Sequence, residues 1–261
     1  MSVERTVTVG LRVDAIAPIQ AAVELIDRAL DTHTRFLMTF VNPGTAIIVQ
    51  RQGEAANLYE RFDLVAPDGI AMVKAVRILH KVDATRISFD STALAPYVFR
   101  LAEQHGSRVV LVGGKPGVAE RARRQLLPVY KRLNVVGALH GYNDTATTIA
   151  TMIELCPDIV ICGMGAPLQE DFLLRLADTG WQGIGITCGG FLDQLSRGVQ
   201  YYPTWINRLN LRWAYRLMRE PRRLWRRYLL DYPKFGIAVG KAILRREPPT
   251  VVRPNAAGEI R

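Results

Sequence analysis

The sequence predicts an α/β fold in which helices cover both faces of a parallel sheet. Short β-branched segments alternate with longer segments whose apolar residues stand three and four apart. Several strand candidates are apolar along their whole length, which is typical of a parallel sheet covered on both faces. The 261 residues, 49% of them hydrophobic, are enough to bury a large core.

Seven strand candidates follow one another along the chain. They occupy residues 6–13, 35–41, 62–67, 108–114, 134–140, 158–165 and 182–190. Helical patterns lie between them, for example at 16–30 and 95–105. Asn42 followed by Pro43 is typical of a helix N-cap and first helical turn. These elements predict a Rossmann-like parallel sheet core with covering helices and two subdomains.

The C-terminal part has a different pattern. From about residue 203 it is purely helical, and Pro221 divides it into predicted helices at 204–220 and 222–230. The last residues include two adjacent prolines and few apolar side chains, which predicts disorder. The predicted organisation is an α/β body, a basic helical appendage and a disordered tail, at 1–200, 201–246 and 247–261.

Positive charge is concentrated in the C-terminal part. Of the net charge of +10, residues 201–261 contribute 14 Lys and Arg against 4 Asp and Glu, which leaves 20 of each in residues 1–200. An anionic partner would therefore meet the appendage. On a helical wheel, two apolar surfaces with tryptophan and tyrosine flank a stripe of arginines, which favours a helix at a membrane interface. RNA binding and a solvated structural helix are the alternatives.

Cysteine and histidine usage narrows the function classes. Cys156, Cys162 and Cys188 have neither metal-ligand spacing nor an even count, which predicts buried thiols in a reducing compartment. The four histidines are dispersed and no D-x-D motif occurs, so we expect neither a metal nor a cofactor in catalysis. There is no signal-peptide core and no apolar segment of membrane-spanning length, which predicts a protein that is neither secreted nor membrane-spanning.

Ligands of open α/β sheets bind at the carboxyl ends of the strands, so the turns that follow strands are candidate sites. Asn42 and Asp68 each follow a strand directly, and Asp68 suits either a general base or a helix cap. Gly113 and Gly114 begin a glycine-rich turn that could bind phosphate. This turn matches neither GxxxxGK[ST] nor GxGxxG, so an ordinary tight turn explains it equally well.

The turn in CGMGAPLQEDF, residues 162–172, is a further candidate. Gly165 ends the glycine-rich part, and a helix begins near Pro167. The amide of Gln169 can hydrogen-bond a polar ligand. Glu170 is explained by the helix dipole alone, which favours a carboxylate in the first turn.

Together these turns resemble the WecG/TagA/CpsF glycosyltransferases, or family 26 glycosyltransferases, bacterial enzymes that elongate lipid-linked sugars. The likeness covers about residues 7–235 and rests on the ordered motifs NPGT, DLVAPDGI, TRISFDST, VVLVGGKPGVAE, HGYND, ICGMGAPLQEDF, GGFLD and PTWINRLNLRWAYRLMREPRRLWRRY. The resemblance implies that Asp68 is the general base and that Asn42, Arg86 and Gln169 bind substrate. It also implies that three residues, here called the tail arginines, contact the acceptor diphosphate: Arg216, Arg223 and Arg226.

The resemblance further implies a UDP-sugar donor, a polyprenyl-diphosphate-linked acceptor and peripheral attachment to the anionic inner face of the bacterial cytoplasmic membrane. It implies no nucleic acid partner and allows a homo-oligomer. Phe40 stands where the family often has the threonine of T-x-N, and Leu211-Arg212-Trp213 replaces its L-E-W. The pattern is therefore closer to the xanthan-type GumM branch, which adds glucose from UDP-glucose in exopolysaccharide biosynthesis.

Three alternatives remain at this point. The first is an N-acetylmannosaminyl transferase of cell-wall or capsule synthesis. The second is a nucleotide-binding oxidoreductase, although the chain lacks the glycine fingerprint of that class. The third is an RNA-binding α/β protein, which would leave Asp68 and Gln169 without a role.

Overall fold

The computed structural model describes residues 3–53, 55–198, 206, 212–219, 221–246 and 248–252. The chain begins with an antiparallel hairpin of β1, Glu4–Thr8, and β2, Leu11–Ala15. The single strand expected at 6–13 is therefore wrong. The chain reverses at Val9 and Gly10, whose φ angles of +54° and +73° lie in the left-handed region.

The centre of the molecule is a sheet of six parallel strands. They are β3 Phe36–Val41, β4 Leu64–Pro67, β5 Arg108–Gly113, β6 Asn134–Leu139, β7 Ile159–Gly163 and β8 Ile184–Thr187. Their order is β4-β3-β8-β7-β5-β6, and all neighbours are parallel. The six remaining strand predictions and the α/β class are thus confirmed.

Helices cover both faces of this sheet. They are α1 Ile19–Asp31, α2 Pro43–Gln52, α3 Ala55–Glu60, α4 Ile70–His80, α5 Ala95–His105, α6 Val118–Leu126, α7 Thr145–Leu155, α8 Leu168–Asp178 and α9 Phe191–Leu195. Successive strand residues point to opposite faces, so Leu111 packs with α1 and α5 while Val110 packs with α2 and α8. Both faces are buried, which explains the uninterrupted apolar strands.

The hairpin covers the edge of the parallel sheet at β4. Asp14 Oδ2 accepts a hydrogen bond of 2.8 Å from the backbone N–H of Val65. The buried guanidinium of Arg12 donates to both carboxylate oxygens of Asp14, at 3.0 and 2.7 Å, and to the carbonyl of Phe62 at 2.8 Å. Pairing and hydrogen bonding satisfy both buried charges, so the ion pair joins the hairpin firmly to the sheet.

The appendage is helical beyond the predicted limit. Its described part contains α10, Arg212–Arg219, α11, Pro221–Arg226, a π-helical turn, Arg227–Asp231, and α12, Tyr232–Leu244. Pro221 opens α11, as a proline in the first turn of a helix should. The predicted helix end at residue 230 is wrong, because the π-helical turn carries the chain directly into α12. Apart from Ile206, residues 204–211 of the first predicted helix lie outside the described residues.

An ion pair and a buried aromatic ring are among the contacts that join the described part of the appendage to the body. Asp231, at the end of the π-helical turn, accepts a 2.6 Å hydrogen bond from Arg51 of α2. Phe235 of α12 is buried in the core on the α2 face of the sheet. The appendage helices are therefore joined to α2, the helix that follows β3.

After α12 the chain returns to the body. Val251–Val252 forms β9, which pairs with β1 in a small antiparallel sheet of order β2-β1-β9. Thr250 N–H donates to His80 Nδ1 at 3.2 Å. Disorder was expected throughout residues 247–261, whereas these few residues have defined partners because β1 offers them an unpaired edge. Residues 247 and 253–261 lie outside the described part of the chain.

Candidate active site

The carboxyl edge of the parallel sheet gathers most of the predicted site residues. Asn42 follows β3, Asp68 follows β4, Gly113 ends β5, and Gly165 lies two residues after β7. Because all six strands are parallel, their carboxyl ends meet at this one edge. The structure thus brings residues that are up to 123 positions apart in sequence to the same side of the molecule.

Asn42 and Asp68 lie directly after two neighbouring strands, β3 and β4. Val41 is in register with Pro67, and the backbone N–H of Asp68 donates to the carbonyl of Val41 at 2.8 Å. Asn42 Oδ1 accepts from Thr45 N at 3.1 Å, which confirms its predicted N-cap role. At the next helix, Gly69 rather than Asp68 occupies the N-cap position. The half-buried Asp68 thus lies between strand and helix, beside the first turn of α2.

Arg86 lies in the segment that joins α4 to α5. The backbone N–H of Ile87 donates to Pro67 O at 3.0 Å, so this segment runs along the turn that carries Asp68. The guanidinium of Arg86 donates to Ser88 Oγ at 3.0 Å and to Asp90 Oδ2 at 3.4 Å. Arg86 therefore provides a half-buried positive charge near this turn, oriented by polar groups on its own segment.

The glycine turns pack backbone against backbone. A Cβ atom on Gly113 would stand 2.4 Å from Gly163 O, and Gly113 has φ of +147°, so only glycine fits there. Gly114 N–H donates to Gly163 O at 3.2 Å, and Gly141 N–H donates to Gly114 O at 2.9 Å. These contacts fix the turns after β5, β6 and β7 relative to one another.

Gln169 is almost completely buried, with 4% of its surface exposed. Its Oε1 atom accepts from Gly165 N and from Gly189 N, both at 3.2 Å. One amide oxygen thus joins the turn after β7 to the turn after β8. The sequence predicts that Gln169 binds substrate. In the structure its side chain also joins these two turns.

Glu170 is fully buried, contrary to its interpretation as a residue that merely favours the helix dipole. Its Oε1 atom accepts from Thr39 Oγ1 at 2.7 Å and from Gln169 Nε2 at 3.0 Å. Burial raises the pKa of this carboxyl group above its usual range. Thr39 Oγ1 lies 2.9 Å from Thr187 Oγ1, which completes a buried polar cluster below the carboxyl edge.

Sequence reasoning missed Thr39 and Thr187 as parts of the site. The available signal was a hydroxyl side chain in each of two otherwise apolar strands, FLMTFV and IGIT. A buried hydroxyl needs a hydrogen-bond partner. Here Thr39 is hydrogen-bonded to both Glu170 and Thr187.

The appendage presents large apolar side chains to solvent beside basic ones. Met218 is 81% exposed and Leu244 is 84% exposed. Trp225 is also exposed, and the Arg226 guanidinium lies 5.9 Å from the centre of its ring. The side chains of the other two tail arginines, Arg216 and Arg223, lie outside the described residues. Within the described part of the chain, none of the helices has the length and apolar character needed to cross a bilayer.

A cavity of about 520 Å³ opens at the opposite, amino-terminal edge of the sheet, between the C-terminal ends of α1, α5, α7 and α8. None of the predicted site residues lines it. Cys156 lines this cavity and is exposed, so its prediction as a buried thiol is wrong. Cys162 and Cys188 are buried, as predicted. Among the described residues, no three His, Cys, Asp or Glu side chains are grouped so as to hold a metal ion.

A model of the glycosyl transferase WecG/TagA/CpsF family matches residues 6–249. The chain belongs to this family. The match covers most of the hairpin, the whole parallel sheet and the appendage through α12. Its strand-end turns are therefore those of a WecG/TagA/CpsF glycosyltransferase.

Three relatives of this glycosyltransferase have named activities. A UDP-Gal:α-D-GlcNAc-diphosphoundecaprenol β-1,4-galactosyltransferase of Shigella boydii is 28% identical over 202 residues, 76% of this chain and 83% of the relative. An N-acetylglucosaminyldiphosphoundecaprenol N-acetyl-β-D-mannosaminyltransferase of Bacillus subtilis (strain 168) is 28% identical over 214 residues, 81% of this chain and 82% of the relative. The enzyme of the same name from Bacillus spizizenii is 26% identical over 234 residues, 89% and 87% of the two chains.

Proposed function

We propose that this glycosyltransferase moves a hexose from a UDP-sugar to a saccharide carried on undecaprenyl diphosphate, with inversion at the anomeric carbon and without a metal ion. The observation that carries the proposal is the position of Asp68 at the carboxyl edge, between Asn42 and the segment of Arg86, in a chain of this family. The names of the relatives support the donor and acceptor classes, since they include UDP-Gal and diphosphoundecaprenol sugars.

In this mechanism Asp68 removes the proton of the acceptor hydroxyl as the hydroxyl oxygen attacks the anomeric carbon. The attack comes from the face opposite UDP, so the bond to the leaving diphosphate breaks as the new glycosidic bond forms. A carboxylate held at a strand end suits this role because the backbone fixes its position. Arg86 and Asn42 would orient the sugar and the departing diphosphate.

The diphosphate of UDP would lie near the turn after β5. The amide of Gly114 is already bonded to Gly163 O, so it is not the donor we expect for phosphate. The first turn of α6, which follows Gly117, is better placed, although its first amide, Val118 N–H, already donates to Lys115 O at 2.9 Å. The positive end of that helix dipole would stabilise the charge that develops on the leaving group.

For the donor sugar we propose glucose, used in exopolysaccharide biosynthesis. The residue pattern near β3 supports glucose, because Phe40 stands where the family often has a threonine. Galactose and N-acetylmannosamine, the sugars in the names of the relatives, are the alternatives.

The appendage would attach the enzyme to the inner face of the cytoplasmic membrane. Trp225, Leu229 and Ile237 are exposed apolar side chains on successive helical segments, and arginines accompany them. Apolar insertion combined with several arginines gives reversible attachment to an anionic bilayer. The tail arginines would at the same time contact the diphosphate of the acceptor, which brings the lipid-linked sugar to the carboxyl edge.

The test is a transfer assay with a panel of radiolabelled UDP-sugars and a short-chain lipid diphosphate saccharide. We expect label from one UDP-hexose to appear in the lipid product, with GDP-glucose as a negative control. If every UDP-sugar fails while RNA is bound tightly by the appendage, the RNA-binding alternative replaces the proposal. Transfer from UDP-N-acetylmannosamine alone would keep the enzyme class and change the donor.

A further inference from the structure

The buried polar cluster below the carboxyl edge consists of Thr39, Gln169, Glu170 and Thr187. All four side chains are at most 4% exposed. Glu170 Oε1 accepts two hydrogen bonds, but Oε2 is buried without a partner among the described residues. A carboxyl group in such a place costs free energy that an apolar side chain would not cost. Glu170 therefore does not serve stability alone.

Glu170 and two backbone N–H groups together set the orientation of the Gln169 amide. Gln169 Oε1 faces two backbone donors, Gly165 N–H and Gly189 N–H, while Nε2 faces the acceptor Glu170 Oε1. With the amide turned over, Nε2 would face two N–H groups and Oε1 would face a carboxyl oxygen. The two contacts between N–H groups would be repulsive, and the contact between the two oxygens would also be repulsive when Glu170 is ionised. An acceptor at residue 170 thus adds to the preference that the two backbone donors give to this orientation.

We propose that Glu170 is a positioning residue for glycosyl transfer: it orients the Gln169 amide so that one oxygen holds the turns after β7 and β8 at a fixed separation beside the donor site. This inference rests on the proposed function of the carboxyl edge. It assigns to Glu170 no contact with substrate and no proton transfer. Thr39 supports Glu170 by donating to the same oxygen, from the strand that ends next to Asn42.

The test compares Glu170→Met, which removes the acceptor at similar volume, with Glu170→Gln, whose amide oxygen can still accept. Asp171→Asn is the matched control, because Asp171 is the next residue of α8 and pairs with the exposed Arg175. Hydrogen exchange of peptides covering Gly165 and Gly189 reports the two turns directly. Steady-state transfer separates KM for the UDP-sugar from kcat.

Glu170→Met should speed exchange at both turns and raise KM by about tenfold, the effect of losing one well-placed hydrogen bond. Glu170→Gln should restore most of both losses, and Asp171→Asn should behave as the wild type. A folded Glu170→Met with wild-type exchange and KM would overturn the proposal, as would equal losses in the Met and Gln variants. If Glu170→Met does not fold, Thr39→Val decides, since it removes one donor to Glu170 and should shift both readouts in the same direction by a smaller amount.

The two proposals fail in different ways. If the wild-type protein transfers no sugar, the proposed function is wrong, and the exchange rates still decide whether Glu170 holds the turns. If the wild type transfers sugar and Glu170→Met leaves exchange and KM unchanged, only the positioning role is wrong.

Discussion

Replacing Gly113 by alanine is the most direct test of the packed glycine turns. The added Cβ atom would stand 2.4 Å from Gly163 O and 2.6 Å from Gly163 C, far inside van der Waals contact. Both atoms belong to the backbone of β7, so no side chain can rotate to relieve the overlap. The turn after β5 or the end of β7 must move.

The expected loss of stability has two parts. A non-glycine residue at the Gly113 φ of +147° costs about 1–3 kcal/mol. Forcing an extra carbon into packed surroundings costs about another 1–3 kcal/mol. The free energy of unfolding should therefore fall by about 2–6 kcal/mol. UDP should also bind at least about tenfold more weakly, since a displaced turn loses the geometry of one or more hydrogen bonds.

Gly165→Ala is the matched control. Gly165 has a similar left-handed requirement, with φ of +85°, but among the described residues other than its chain neighbours no atom lies within 4 Å of the position that its Cβ would take. The free energy of unfolding of the Gly165→Ala variant should fall by only about 1–2 kcal/mol, the cost of the backbone conformation. Urea unfolding gives the stabilities and titration calorimetry gives the UDP affinities. Equal losses of stability and UDP affinity in the two variants would refute the steric argument for Gly113.

Three other predictions follow from the buried carboxyl, the appendage and the metal-free mechanism. Burial raises the folded-state pKa of Glu170, so the folded protein binds more protons than the unfolded chain. The free energy of unfolding should therefore fall as the pH rises from about 4.5 through the folded-state pKa. Urea unfolding of Glu170→Gln should show a shallower fall with pH. Replacing the three tail arginines by glutamine should weaken liposome binding by about 1 kcal/mol per arginine at low salt. The rate of transfer to a soluble, short-tailed acceptor should fall much further. If the variant transfers sugar to this acceptor at the wild-type rate, the tail arginines serve only as membrane anchors. Activity should persist in excess EDTA, and a loss that magnesium or manganese reverses would contradict the metal-free mechanism.

The parallel sheet was predictable because its strands carry local signals. Runs such as RVVLVG and IVICG are apolar and β-branched, and each is followed by glycine turns. The reversal at Val9 was not predictable in the same way, since valine rarely adopts a left-handed conformation. Likewise, the π-helical turn that leads to α12 depends on tertiary contacts such as the Arg51–Asp231 pair.

The site was predictable where a residue's role depends on its own turn. Asn42 and Asp68 were identifiable because each follows a strand directly. Their proximity follows from the parallel pairing of β3 and β4. The environment of Glu170 depends instead on Thr39, which is 131 residues away in sequence. Local sequence therefore placed Glu170 in the first turn of a helix but gave no sign that it is buried.

The Asp68→Asn variant tests most directly whether Asp68 is the general base. The amide is nearly isosteric with the carboxylate, so the fold and UDP affinity should remain, while turnover should fall by about 100-fold or more. Asp83→Asn is the control, because the Asp83 side chain is exposed and pairs with Arg77. The decisive measurement is kcat for transfer to the lipid diphosphate acceptor by both variants. A folded Asp68→Asn enzyme with near wild-type kcat would contradict the account.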